Sequence, residues 1–216
     1  MLIHCPLCKS HSKKDIIPAI YNRTLYHCTQ CDLVFAHPKD LLSAQEEKAR
    51  YNNHENNIEN AGYVAFLTQA ITQATPYLQT KKQGLDFGCG PGPTLNLLLK
   101  QQGYSCDIYD PFFFSTLPNK KYDFIFATEC FEHFHNPHKE IVTIYNHLAP
   151  KGVVIIMTEL WEHTQQFSTW YYAADPTHVA FFNATTFTYI CTTFGFTQLP
   201  SSNARIVILE KIKKPT

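Results

Sequence analysis

The sequence predicts an α/β fold: a largely parallel sheet with helices on both faces, preceded by a small cysteine-rich unit. A glycine-rich turn, "DFGCGPG", joins a short apolar strand to an amphipathic helix. Continuous apolar runs such as "VVIIMT" follow helical patterns, as expected of strands covered on both faces. Four N-terminal cysteines form two closely spaced pairs. We therefore divide the chain into a cysteine ribbon (1–38), a helical lead-in (39–82) and an α/β domain (83–216).

Length and charge limit the classes of function. The 216 residues suffice for one full domain and a small appendage. Basic and acidic side chains number 18 each, which argues against a highly cationic nucleic-acid binder. No apolar run is long enough to span a bilayer, and the start "MLIHCPLCKS" lacks the pattern of a signal peptide. We expect a cytoplasmic protein whose thiols stay reduced, with no membrane partner.

The cysteine pairs have the spacing of a structural zinc site. Two C-x-x-C turns, "CPLC" and "CTQC", each direct two thiolates at one point and together complete a tetrahedral shell. An iron site and a knuckle without metal are the alternatives. The expected zinc ligands are Cys5, Cys8, Cys28 and Cys31. Since so short a piece has little core, the metal is expected to supply its stability.

The segment from about residue 39 is rich in Ala, Gln, Glu and Asn and carries an apolar stripe at helical spacing. The stripe consists of Tyr63, Phe66, Leu67, Ala70 and Ile71. It predicts one or two helices that lead into the main domain and pack on its core.

The glycine-rich turn predicts a nucleotide-type site. Residues 85–87 form an apolar strand, and Gly88, Gly90 and Gly92 then let the backbone turn sharply with no Cβ in the way of a ligand. Pro93 suits the first position of the helix that follows. Strand, turn and helix together direct helix amides at a bound ligand.

Two aspartates refine this prediction. The pattern G-x-G-x-G with Asp86 before it departs from the dinucleotide fingerprint. The next strand, "YSCDIYD", ends in Asp110, about 20 residues past the glycines, where an acid is placed to bind ribose hydroxyls.

These motifs resemble those of the class I S-adenosylmethionine-dependent methyltransferases, of the type 11/23 kind. "LDFGCGPG" matches their first motif, "YDFIFATECFEHF" their fourth strand and "LAPKGVVIIMTEL" their fifth. The resemblance covers roughly residues 60–212, and "YHCTQCDLVFAHP" is similar to a cysteine ribbon that precedes some of these enzymes. It implies a Rossmann-like sheet and S-adenosylmethionine as cofactor. The expected cofactor contacts are Asp86, Gly88, Cys89, Gly90, Gly92, Asp110, Phe112 and Glu129.

The chain departs from the family after Asp110. Only eleven residues, "PFFFSTLPNKK", precede Tyr122, and even one crossover helix needs about a dozen. We therefore predict that the usual third strand, at the sheet edge, is missing or vestigial. Phe112, Phe113 and Phe114 either form a wall for adenine or fill the core.

Later segments give clear boundaries. Asn136 and Pro137 begin a helix with a buried apolar face, and "NATTFTYICTTF" is a second helix that ends at Gly195. "RIVILEK" is expected to be the closing strand, antiparallel to "GFTQL".

Carboxylates and imidazoles are expected to meet at the carboxyl ends of the strands. Glu129, Glu132 and His133 follow the strand "YDFIFAT", and a long aromatic loop is expected to add His178. In a first hypothesis the four bind a divalent metal such as magnesium, manganese or zinc. This pattern resembles the E-x-x-E-H plus distal His of small-RNA 2′-O-methyltransferases and the E-x-x-E-H of ubiquinone-pathway enzymes. In a second, His133 or His178 is the general base. In a third, the residues only hold the pocket.

The function predicted from these features is methyl transfer to a small-molecule acceptor, a sugar or quinol-like ring, at oxygen. One alternative is RNA methylation with the ribbon as docking arm. Residues 1–40 carry five basic and three acidic side chains, a net charge of +2 that favours RNA only weakly. The other alternative is a non-catalytic scaffold that binds the cofactor. The sequence leaves the oligomeric state open.

Overall fold

The computed structural model describes residues 3–11, 14–17, 22–53, 56–78 and 83–212. The sequence-based boundary at residue 82, and Lys13 of the ribbon, lie outside these ranges. In chain order the strands are β1 (Lys14–Ile17), β2 (Leu25–Cys28), β3 (Val34–Ala36), β4 (Gln83–Phe87), β5 (Ser105–Tyr109), β6 (Tyr122–Thr128), β7 (Leu148–Met157), β8 (Ala180–Phe181), β9 (Phe196–Leu199) and β10 (Ile206–Lys211).

Six α-helices and three 3₁₀ turns complete the described secondary structure. The helices are α1 (Ala44–Tyr51), α2 (Ala61–Leu78), α3 (Thr94–Gln101), α4 (Pro137–His147), α5 (Tyr171–Ala174) and α6 (Ala184–Phe194). The 3₁₀ turns span Pro38–Asp40, Phe131–His133 and Thr164–Ser168. The predicted lead-in helices are thus α1 and α2. No helix in the described ranges has the length and apolarity to cross a bilayer.

Side chains at the helix ends explain where these helices begin and stop. The Asn136 side chain accepts the Lys139 amide before α4, and Gly195 adopts φ 85° after α6, as the sequence predicts. Ser43 and Glu46 form a capping box at α1. Pro93 is the N-cap of α3 rather than its first helical residue, so that prediction was wrong by one position.

The large sheet has the strand order β5-β4-β6-β7-β10-β9. The first four strands are parallel, and β10 runs antiparallel to both β7 and β9, which confirms the predicted closing hairpin. β5 lies at the edge. Residues 111–121 are all described and hold no strand beyond a single bridge between Asp110 and Phe114, so the predicted loss of the third strand is confirmed.

Successive side chains of the central strands point to opposite faces of the sheet, and both faces are covered by helices. Phe124 and Phe126 pack with α2 and α3, whereas Ile125 and Ala127 pack in a second cluster with α4 and α6. Because the parallel strands end at one edge, the loops after β4, β5, β6 and β7 meet there.

The cysteine ribbon is joined to this body. β1, β2 and β3 form an antiparallel sheet whose fourth strand is β8, from the long loop after β7. Cys5 and Leu33 of the ribbon share a core cluster with Phe187 and Phe194 of α6. The ribbon therefore lies against the face that carries α4 and α6, and it extends the hydrophobic core.

Candidate active site

The glycine turn after β4 leaves bare backbone beside an open space. Gly88 and Gly90 have φ of 82° and 64°, a region that side chains rarely adopt. A Cβ on Gly88 would lie 2.7 Å from the Cβ of Cys130, whereas one on Gly90 would meet nothing closer than Asn56 Nδ2 at 4.0 Å. At Gly92 a Cβ would lie 2.5 Å from the Asn56 carbonyl oxygen. The lead-in segment thus covers the end of the turn and leaves the space over Gly90 free.

Asp110 lies beside this turn with its carboxylate fixed by backbone amides. Oδ2 accepts from the Gly90 amide at 3.0 Å, and Oδ1 accepts from the amides of Phe112 and Phe113 at 2.8 and 3.2 Å. The side chain is largely buried. The remaining lone pairs of the carboxylate can accept further hydrogen bonds from hydroxyl groups of a ligand.

Asp86 lies beneath the turn instead of facing the open space. It is fully buried, and burial raises its pKa to about 7, although a hydrogen bond from the Asn96 backbone acts in the opposite direction. Asp86 therefore connects β4 to the first turn of α3. The predicted contact of Asp86 with the cofactor stays a prediction.

The three phenylalanines after Asp110 are half-buried, and none belongs to a core cluster. The ring of Phe112 lies 5.6 Å from that of Tyr51, and the Lys48 ammonium lies over Phe113. Core filling is therefore the wrong interpretation of this run, in which Phe112 and Phe113 contact α1 instead. The Cys89 side chain is buried, with its Sγ 3.6 Å from the Gly90 carbonyl oxygen.

The carboxylate of Glu129 pairs with an arginine from outside its motif. Its backbone adopts φ 49° at the end of β6, and its carboxylate contacts Arg205 Nη2 at 3.3 Å. Arg205 Nη1 also pairs with Glu159 at 3.0 Å, and Glu159 accepts from Trp170 Nε1. Burial and the neighbouring Glu132 raise the pKa of Glu129, while Arg205 opposes the shift.

Glu132, His133 and His178 converge, with ligand atoms that all lie within 4.8 Å of one another. Glu132 is completely buried; its Oε2 accepts from Thr158 Oγ1 at 2.9 Å, while Oε1 has no partner. A buried carboxylate oxygen without a partner is costly, which makes this atom a candidate ligand for a cation. The long aromatic loop brings His178 to the carboxyl edge of the sheet, as predicted.

Backbone contacts orient both imidazoles of this cluster. His133 Nδ1 lies 3.0 Å from the Thr177 carbonyl oxygen, and His178 Nδ1 lies 2.7 Å from that of Tyr172. A carbonyl oxygen only accepts, so each Nδ1 carries the proton and each Nε2 offers a lone pair. Burial lowers the pKa of His178, although Glu132 opposes the shift, and this favours the neutral ring.

Comparison with known proteins agrees with this architecture. A family model described as a methyltransferase domain matches residues 58–200, about two thirds of the chain. The chain belongs to this methyltransferase family. The predicted class I S-adenosylmethionine-dependent methyltransferase is thereby confirmed in family and fold. No curated protein matches the sequence.

Solved methyltransferases share the fold at low identity. The 1,6-didemethyltoxoflavin-N1-methyltransferase of Burkholderia thailandensis is 14% identical, with 94% of this chain and 100% of that one covered and a TM-score of 0.51. For the plantazolicin methyltransferase BpumL the identity is 15%, the coverage 78% and 90%, and the TM-score 0.52. Human N-acetylserotonin methyltransferase is 10% identical, with a TM-score of 0.50. The match covers 67% of this chain and 52% of that one.

The N-terminal cysteines of the methyltransferase form a compact cluster. Sγ–Sγ distances are 3.5 Å for Cys5 and Cys31 and 3.6 Å for Cys8 and Cys28. A zinc–sulfur bond of about 2.3 Å implies edges of about 3.8 Å in a regular tetrahedron, which these distances approach. The residues after each pair, Lys9 and Asp32, have φ of 61° and 62°, and their amides bond back to the carbonyls of Cys5 and Cys28. The donor set fits zinc.

Three side chains of the methyltransferase site escaped the sequence analysis. Thr158 and Tyr172 hydrogen-bond each other beside Glu132, and Arg205 joins Glu129 to Glu159. The sequence analysis assigned none of the three to the site, although Thr158 lies in the segment that matches the fifth strand. The only signal for Arg205 was its place at the start of the closing strand, because that end of β10 lies against the carboxyl end of β7.

Proposed function

We propose that the methyltransferase binds S-adenosylmethionine between the glycine turn and Asp110 and transfers its methyl group to a hydroxyl of a small acceptor. The observation that carries the proposal is the free space over Gly90, beside a carboxylate that three backbone amides hold in place. The methyltransferases BpumL and 1,6-didemethyltoxoflavin-N1-methyltransferase were solved with S-adenosylhomocysteine, which supports this choice of cofactor.

In this proposal Asp110 accepts hydrogen bonds from the ribose hydroxyls, and Phe112 with Tyr51 flanks the adenine. The methionine part lies on the backbone of the turn. The backbone and side chains assigned to it are Gly88, Cys89, Gly90, Gly92 and Glu129. Asp86 supports the turn from below.

A cavity beside the charged network supports a compact acceptor. It has a volume of about 510 Å³, and Leu160, Leu199, Pro200 and Ile206 are among its lining residues, together with polar groups that include Asn203. Leu160 follows Glu159 in the chain, and Ile206 follows Arg205. A lining that is polar and apolar in similar measure suits a sugar or quinol-like ring better than a polymer.

We assign a divalent cation to Glu132, His133 and His178. Together these residues offer one carboxylate, with Oε1 unpartnered, and two imidazoles, a donor set that first-row divalent metals accept with further positions open. Hydrogen bonds of both Nδ1 atoms to carbonyl oxygens are the orientation usual for metal-bound histidines. A bound cation would lower the pKa of an acceptor hydroxyl.

The chemistry requires little else from the protein. When bound, S-adenosylmethionine would supply an activated sulfonium methyl. The acceptor oxygen would bond to that carbon in line as the carbon–sulfur bond breaks, and S-adenosylhomocysteine would be released. The hydroxyl proton passes to solvent, or to an Nε2 lone pair when no cation is bound. The main task of the chain is to align donor and acceptor. The ion pair of Glu129 and Arg205 at the carboxyl edge of the sheet is assigned to orient the acceptor.

We assign a structural zinc ion to the four N-terminal cysteines, and a role in the fold rather than in RNA docking to the ribbon. Two of its basic side chains are engaged within the protein: Lys9 donates to Asn136, and Arg23 donates to three backbone carbonyls. The RNA alternative requires cations that face outward, so these contacts weaken it.

Calorimetric titration with S-adenosylhomocysteine tests the cofactor site. The purified protein is expected to bind one equivalent, and Asp110→Ala is expected to weaken binding about 10- to 100-fold, because a carboxylate loses its ribose hydrogen bonds. Asp107→Asn is the matched control: it removes an acid of the same strand that contacts Lys120 and Tyr122 instead of the turn. Equal affinity of both variants would remove Asp110 from the site.

Manganese titration followed by electron paramagnetic resonance tests the cation cluster. One Mn²⁺ ion is expected to bind, to be lost in Glu132→Gln and to be retained in Glu129→Gln, since Glu129 faces Arg205. Circular dichroism confirms that each variant folds. No binding by the wild type, or binding that survives Glu132→Gln, would contradict the cation and leave a histidine as general base.

A further inference from the structure

Arg23 of the ribbon contacts the loop that carries His178 through hydrogen bonds to its backbone. Nη1 donates to the carbonyls of Pro176 and His178, both at 3.0 Å, and Nη2 donates to that of Ala173 at 2.8 Å. The guanidinium is partly buried, and burial lowers its pKa. One side chain therefore satisfies three carbonyls of residues 173–178, here called the histidine loop.

The same loop forms the two contacts that orient the cluster. The Thr177 carbonyl accepts from His133, and the Tyr172 carbonyl, at the start of the loop, accepts from His178. Val179, directly after the loop, donates its amide to the Glu132 carbonyl at 2.8 Å. The positions of all three cluster residues thus depend on the backbone path of residues 172–179.

Other contacts also help to fix that path. Asp175 accepts from the Thr177 amide and hydroxyl. The Ala36 amide of the ribbon donates to the Val179 carbonyl. Arg50 pairs with Asp175 at 2.7 Å on an exposed side, where screening weakens ion pairs. After the loop, β8 is only two residues long, and its partner β3 also belongs to the ribbon. The ribbon therefore supplies both the pairing strand and the guanidinium that hold the histidine loop.

We propose that Arg23 is a positioning residue of the active site: it fixes the histidine loop from the ribbon and thereby sets the tautomer and ring position of His178. A planar guanidinium with several donors can serve three carbonyls at once, and an ammonium cannot do so in the same geometry. This role of Arg23 rests on the proposed function in one respect, namely that His178 belongs to the active site.

Histidine-ring NMR of the full chain tests the proposal. With ¹⁵N-labelled protein, long-range correlations report which ring nitrogen carries the proton, and His178→Gln assigns the signal. The wild type is expected to show the Nδ1-protonated ring of His178. Arg23→Ala is expected to give a mixture of tautomers, and Arg23→Lys an intermediate pattern. Lys39→Ala, which removes an exposed charge directly after the ribbon, is the matched control and is expected to leave the signal unchanged.

Amide hydrogen exchange adds a second measurement. Exchange over residues 171–182 is expected to become roughly tenfold faster in Arg23→Ala, with peptides of β4 and β5 unchanged. If Arg23→Ala does not fold, Arg23→Gln replaces it, because the amide retains donors at similar reach. An unchanged His178 signal in a folded variant would overturn the proposal, whatever the exchange shows. Failure of the wild type to bind S-adenosylhomocysteine would instead refute the cofactor site and leave this result intact.

Discussion

Gly90 and Gly84 have different roles in this chain, because an alanine side chain would meet different surroundings at each position. At Gly90 the added Cβ points into open space, but φ of 64° makes any side chain strained. At Gly84, in β4, a Cβ would lie 2.0 Å from the Phe124 ring. Gly90 thus serves the ligand space, and Gly84 serves the packing of the sheet.

Alanine substitutions are expected to separate these two roles. Gly90→Ala should cost about 1–2 kcal/mol of folding free energy from the left-handed backbone and weaken S-adenosylhomocysteine binding at least tenfold, because its methyl enters the proposed site. Gly84→Ala should cost about 1–3 kcal/mol or more from overpacking and leave the affinity of the folded protein unchanged. Urea denaturation and calorimetry measure the two quantities. Normal cofactor affinity in Gly90→Ala would place the methionine part elsewhere.

Asp86 predicts a pH dependence of stability. Its pKa is about 7 in the fold against 3.8 for the free side chain, so the folded state holds the proton more tightly than the unfolded chain. The contribution of this group to stability is therefore complete at low pH and falls as pH rises from about 4 to about 7. Three pKa units at about 1.4 kcal/mol each set an upper limit of about 4 kcal/mol for the fall.

Asp86→Asn isolates this contribution, since the amide keeps the shape and an acceptor oxygen but does not ionise. Relative to the variant, the wild type is expected to lose about 2–3 kcal/mol of unfolding free energy between pH 5 and pH 8. Urea denaturation at several pH values measures the difference, in which shifts of the other carboxyl groups cancel. A difference that does not vary with pH would show that Asp86 stays ionised in the folded protein.

At the scale of elements, local signals predicted most of the large sheet. Glycines, caps and apolar runs placed β4, β7, α4 and α6, and the short spacing after Asp110 predicted the missing edge strand correctly. These features depend on residues close together in the chain, which a single sequence displays.

Pairings between distant segments could not be predicted in this way. β8 has two residues, and its partner β3 lies almost 150 positions earlier, so no local pattern marks the pairing. In the site, the sequence predicted that Glu129, Glu132 and His133 would meet at the carboxyl ends of the strands. A 3₁₀ turn and the positive φ of Glu129 instead direct that carboxylate to Arg205, 76 positions away. Only the contact itself reveals the partner.

Across the whole molecule, the ribbon and the α/β body share one core. Cys5, Cys28 and Cys31 are buried in the same cluster as Phe187 and Phe194 of α6, and β3 pairs with β8. The ribbon is thus expected to unfold together with the body instead of melting as a separate unit.

Zinc removal tests this expectation. Chelation of the proposed ion, or Cys8→Ser, is expected to lower the melting temperature of a single transition by several degrees or more, because metal binding to the folded ribbon stabilises everything that unfolds with it. Differential scanning calorimetry measures the transition, and a colorimetric assay counts the zinc released. Cys191→Ser is the matched control: it replaces a half-buried cysteine of α6 outside the cluster. Two transitions, with the larger one unmoved by chelation, would show that the ribbon folds on its own.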